Sequence, residues 1–91
     1  MSDQRRSYLA ECYWPGVSEQ KLAAAVVQIQ RATEDLRLQG HEVRFVGSIL
    51  LPVDETVFCL FDGTEDGVRS VSEQACVPFE RILESLRIGG R

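Results

Sequence analysis

Between Ser7 and Trp14 the side chains alternate, with Tyr8, Ala10, Cys12 and Trp14 on one side and Leu9, Glu11 and Tyr13 on the other. Aromatic enrichment and the Pro15-Gly16 break predict a strand, and apolar groups on both faces suit a central one. From Ser18 the period lengthens. Leu22, Ala25, Val26, Ile29, Ala32, Thr33 and Leu36 recur at three-and-four spacing, while Gln28, Gln30, Arg31, Glu34 and Asp35 fall mainly off that stripe. Ser18 is a good N-cap, Glu19 complements the helix dipole, and Val17 stands where a hydrophobic staple packs. Gly40 is a natural C′ residue, so a long amphipathic helix ends there.

The period returns to two from Glu42 to Leu51. Val43, Phe45, Gly47, Ile49 and Leu51 share one side, and Arg44, Val46, Ser48 and Leu50 the other. Pro52 to Glu55 suits a hairpin connection, and Thr56 to Phe61 reads as a third strand, closed by Asp62-Gly63. Thr64 can cap a second helix with Glu65 and Asp66 in its first turn, and Val68, Val71, Ala75 and Cys76 form its apolar side. That helix is weakened by Gly67 and stopped by Pro78. Arg81 to Ile88 forms the last strand, with Ile82, Glu84, Leu86 and Ile88 facing one way. Residues Met1 to Arg6 and Gly89-Gly90-Arg91 read as loose ends.

Strand, helix, two strands, helix, strand is the order of two interleaved split β-α-β units. The expected fold is α+β: a single ferredoxin-like β-α-β-β-α-β sandwich spanning 1–91, ordered over about 7–88. Its four-stranded antiparallel sheet carries two helices on one face. The other face then exposes more apolar surface than monomers usually tolerate, so a homodimer of the dimeric α/β-barrel type is expected through it.

Composition narrows the partners. The 91 residues suffice for one core, and 44% hydrophobic with 26% charged side chains marks a folding chain. Fourteen acidic against ten basic residues give a net charge of −4, which offers nothing to nucleic acid or anionic lipid. No apolar run has the length of a span or of a signal-peptide core, so a cytoplasmic protein is expected. Cys12, Cys59 and Cys76 have no C-x-x-C spacing and read as buried reduced thiols, with no disulfide framework.

Several segments resemble a known family. They are Tyr8-Leu9-Ala10-Glu11-Cys12-Tyr13-Trp14-Pro15-Gly16-Val17, Val43 to Ile49, Asp54 to Phe61, and Glu73 to Glu84. Together they look like the small bacterial ferredoxin-like family of unknown function that is often labelled nickel-binding. The resemblance covers Tyr8 to about Ile88 and implies a dimer with a transition-metal site. Members carry histidines on the first strand and near the second helix, where this chain offers Glu11, Cys12 and Ser72. His41 is its one histidine. The donor set implied here is therefore Glu11, Cys12 and His41, for nickel or zinc, completed across a symmetric interface or by backbone and water. The chain's own residues point to no cofactor.

Two carboxylates stand out because each interrupts an apolar strand. In the expected strand order the first and last strands are neighbours, so Glu11 and Glu84 lie side by side on one face, with Tyr13 beside Glu11. Paired carboxylates make a general acid and base or a cation site. They also occur as structural ion pairs with Arg44, Arg81 or Arg87. No glycine pattern cradles phosphate, and one histidine is little to build a triad from. Three functions follow: a homodimeric small-ligand or accessory binding module lined by Glu11, Tyr13 and Glu84; a nickel-type metal-binding protein; and a cofactor-free isomerase or cyclase acting through the two carboxylates.

Overall fold

The computed structural model describes residues 6–86. Six elements follow one another: β1 (Arg6–Tyr13), α1 (Glu19–Leu38), β2 (Val43–Leu51), β3 (Thr56–Gly63), α2 (Glu65–Ala75) and β4 (Arg81–Leu86). The strands form one antiparallel sheet in the order β2-β3-β1-β4, with β1 and β3 central. The fold is the ferredoxin-like β-α-β-β-α-β sandwich. Arg6, read from sequence as part of a loose start, already pairs with Leu86. The expected loose ends over 1–5 and 89–91, and Arg87 and Ile88 at the end of the last strand, lie outside the described residues. No helix among the described residues is long and apolar enough to cross a membrane.

Local chemistry explains both helices. The Ser18 hydroxyl accepts the Lys21 N–H at 3.1 Å. At the other end of α1, the Gly40 N–H reaches the Arg37 carbonyl and the His41 N–H the Leu36 carbonyl, each at 3.0 Å, with Gly40 at φ +98°. This is a Schellman cap, closed by the backbone N–H groups of Gly40 and His41. On α2, Thr64 Oγ1 accepts the Gly67 N–H at 3.0 Å. That helix stops before Pro78, because Cys76 turns left-handed at φ +58° and Val77 N–H returns to the Ser72 carbonyl. Ser72 Oγ then donates to the Val77 carbonyl at 2.6 Å and accepts the Phe79 N–H, tying the loop to the helix.

Both helices cover one face of the sheet. Ile29, Ala32 and Leu36 of α1 and Val68 and Val71 of α2 pack on Tyr8, Ala10, Val43, Val57, Cys59 and Phe61. Phe61 is wholly buried, with Phe45 and Phe79 tilted against it at ring-centroid distances of 5.4 and 5.9 Å.

One strand departs from simple alternation. β2 pairs Phe45 with Phe61 but Gly47 with Leu60, so Val46 is an extra residue in a bulge. The bulge reverses the phase of everything after it. Val43, Phe45, Ser48 and Leu50 therefore face the helices, while Arg44, Gly47, Ile49 and Leu51 face away, instead of the two unbroken sets that the period-two pattern predicts.

Gly67 is explained by what lies above it. An added Cβ would stand 2.8 Å from the Glu42 carbonyl oxygen and 2.9 Å from Val43 Cβ, because the start of α2 sits directly on the loop entering β2. In an open helix Gly→Ala gains up to ~1 kcal/mol. Here overpacking against backbone costs about 1–3 kcal/mol, so Gly67→Ala should lower stability by roughly 1 kcal/mol or more in a urea titration. A stabilised variant would show that the close approach is not needed.

Candidate functional site

The register separates the two carboxylates. Glu11 pairs with Arg81 and Glu84 with Tyr8, which puts Glu11 on the face away from the helices and Glu84 on the helix side. Glu11 Oε1 accepts the Arg81 Nε–H at 2.7 Å, and Glu84 is bonded by Arg6. The expectation of adjacent carboxylates fails because one residue of register exchanges the faces. Without that pair, the isomerase or cyclase reading loses its acid and base.

Both are ion pairs with a wet partner. The Glu84 and Arg6 side chains are 48% and 69% exposed, so Glu84→Gln should change unfolding stability by less than about 1 kcal/mol. A loss of several kcal/mol in chemical denaturation would contradict that placement.

The proposed metal donors also diverge. Glu11 faces away from the helices, Cys12 is buried beneath them, and His41 lies exposed at the other end of the sheet beside Arg37, Arg44 and Glu42. These three do not meet within one protomer. Among the described residues no group of three or more His, Cys, Asp or Glu side chains is placed to hold a metal ion.

What the chain does gather is a cleft. It measures about 540 Å³ and lies between the C-terminal end of β1, the first half of α1 and the segment leaving α2. Cys12, Tyr13 and Trp14 form one wall, Lys21, Ala24, Ala25 and Gln28 the second, and Ala75 to Pro78 the third. Where α1 borders the space it presents the small side chains of Ala24 and Ala25. Trp14 is half-buried, and its backbone N–H donates to the Glu55 carbonyl at 2.7 Å. It is therefore both a lid on the core and a lip of the cleft. Tyr13 is 52% exposed and borders the cleft rather than burying its ring. Of the three expected ligand contacts, Glu11, Tyr13 and Glu84, only Tyr13 lines this space.

Its chemistry is apolar and neutral on one side, cationic at the rim. Burial, with a contribution from Glu80, raises the Cys12 thiol above its ordinary range, so it stays protonated. Cys59, beneath it on the same face, is pushed up to about 12 by burial and by Cys12. Cys76 differs from the expectation of three buried thiols. It is exposed because the left-handed cap of α2 turns it outward into the cleft wall. At the rim, Lys21 Nζ donates to the Gly16 carbonyl at 3.2 Å.

The second feature is the sheet face away from the helices. Leu9, Phe58 and Leu60 are half-buried at its centre, and Ile49, Leu51 and Leu83 are exposed around them. Polar groups share this face: Glu11 and Arg81 continue the cross-strand row of Ile49 and Phe58, and at one end Ser7 Oγ donates to Asp62 Oδ1 at 2.8 Å and Arg44 approaches Asp62 Oδ2 at 3.7 Å. Asp62, read from sequence as closing the third strand, lies within β3 as a buried carboxylate.

No family model matches this chain, and no curated protein matches it in sequence. Among solved structures it is similar to the protein SCO4226 of Streptomyces coelicolor A3(2), with a TM-score of 0.75 and 21% identity over 87% of this chain and 94% of the other. At that identity the likeness is one of fold, and the chain shares the ferredoxin-like architecture of that protein over nearly its whole length.

Proposed function

We propose that the protein is a homodimeric binding module in which each protomer holds a small, largely apolar ligand in the cleft beside Trp14. The observation that carries this reading is the cleft itself. At about 540 Å³ it falls within the range of small-molecule sites, and its walls are mostly apolar with few polar groups.

Dimerisation rests on the sheet. An apolar surface reaching all four strands through Leu9, Ile49, Phe58, Leu60 and Leu83, with the Glu11–Arg81 pair beside it and the Arg44–Asp62 cluster at one end, is larger than a lone protomer usually leaves exposed. A second copy supplies the matching surface under a twofold axis.

The binding half is tested by titrating N-phenylnaphthylamine, an uncharged fluorescent probe, against the protein. Trp14 is the chain's one tryptophan and lines the cleft, so energy transfer from it reports occupancy. Saturable quenching that Ala25→Phe abolishes by filling the space supports the reading. Absence of saturable binding overturns it.

A further inference from the structure

We infer that the ligand of this cleft is an amphipathic anion, with an aromatic or aliphatic body and one acidic head group, and that the Lys21 ammonium receives the head. The inference rests on the small-ligand reading above and adds the chemical class of the ligand.

The body is defined by the walls. Trp14 offers a large apolar face, while Ala24, Ala25 and Ala75 present only methyl groups and leave the volume between the helices open. Cys12 stays a neutral thiol there and no carboxylate is among the lining residues, although the charge of Glu80 behind the wall is felt at Cys12.

The head is defined by Lys21. Lys21 lines the cleft, and its ammonium is held beside it on the Gly16 carbonyl. An ammonium has three donor hydrogens, and the one bond made here goes to the Gly16 carbonyl. Among the described residues no carboxylate lies within 4.0 Å of it. Glu55, on the other side of Gly16, accepts the Gly16 N–H at 2.8 Å instead. Most other cations among the described residues, Arg6, Arg37, Arg44, Arg69 and Arg81, do have a carboxylate partner. A cation without its counterion, at the mouth of an apolar cleft in a chain of net charge −4, is a local complement to an anion. It also selects: an acid whose body fits gains the ion pair, and a neutral molecule of the same shape does not.

Two probes sharing one ring system separate body from head. Anilinonaphthalene sulfonate carries an anionic group, and N-phenylnaphthylamine lacks it. Both are titrated against the intact protein with Trp14 emission as readout, using wild type, Lys21→Met, which keeps the apolar stem and removes the charge, and Ala25→Phe. Lys21→Met should weaken the sulfonate by about fivefold, as for one exposed ion pair with a bound ligand, and leave the uncharged probe within about twofold. Ala25→Phe should weaken both. The inference is overturned if Lys21→Met leaves the sulfonate unchanged, if it weakens both probes equally, or if the sulfonate response survives Ala25→Phe. If the uncharged probe fails to bind wild type, the cleft reading fails as well, and that outcome differs from the others.

Discussion

Ile49→Glu should convert the protein from a species of twice the 10.2 kDa chain mass into a monomer at micromolar concentration. Ile49 is 56% exposed in the isolated protomer, so a glutamate there costs the fold little and tests the surface alone. It stands opposite Phe58 on the face away from the helices, next to Leu60. If a second copy covers that face, the carboxylate loses its hydration and finds no basic partner among Leu9, Phe58 and Leu83. Burying an unpaired charge at a covered apolar position costs about 2 kcal/mol or more. A twofold interface contains the change twice, so the dissociation constant should rise by about a thousandfold. Light scattering reads the mass directly, and far-ultraviolet circular dichroism confirms that the monomer is folded. A variant that keeps the wild-type dimer mass would show that the copies meet elsewhere.

The second large effect is a loss of stability in alkali that belongs to Cys59. Its thiol is 1% exposed, and burial moves its pKa from 9.0 to about 12. Between those values the folded chain holds a proton that the unfolded chain has released, so unfolding becomes easier as pH rises. The contribution is fully present below pH 9.0 and is lost on the way to about 12, a span worth ~4 kcal/mol. Cys12 is shifted in the same direction and adds to the slope. Guanidinium titrations at pH 8 and pH 11 should show wild type losing ~2–3 kcal/mol more than Cys59→Ala across that step. The comparison removes the two tyrosines and the one lysine common to both proteins. Equal pH dependence in the two would mean that Cys59 is wetter than its position implies.

The strand and helix order was legible because it is local. Ser18, Gly40, Thr64 and the Pro52 to Glu55 connection each terminate an element by their own backbone chemistry. The pattern of Ile29, Ala32, Thr33 and Leu36 places the buried stripe of α1 without reference to any other segment. What failed depends on relations between segments. Alternation cannot reveal that Val46 is a bulge, since the extra residue exists only relative to Leu60 and Phe61 across the ladder. The same holds for Glu11 and Glu84. Strand adjacency was correct, but one residue of register decides whether two side chains share a face, and Tyr8 rather than Glu11 stands opposite Glu84.

The cleft was harder to foresee because it is made of small groups. Ala24 and Ala25 read as helix formers, and Ala75 to Pro78 as the end of a helix. Only the packing of α1 against α2 turns those residues into walls. A signal was nevertheless present. Ala24 and Ala25 are adjacent small residues between Leu22 and Ile29, and small side chains there leave room beside β1. Cys76 misled for a related reason: its apolar neighbours suggested burial, and the left-handed helix cap exposes it.

Native mass spectrometry of the wild-type protein with N-phenylnaphthylamine tests both halves of the account in one spectrum. The expected ion series is a dimer carrying two probe molecules, one for each cleft, and Ala25→Phe should appear as the same dimer without them. A 10.2 kDa monomer, or a dimer that takes up no probe at concentrations well above micromolar, would contradict a homodimeric small-ligand module.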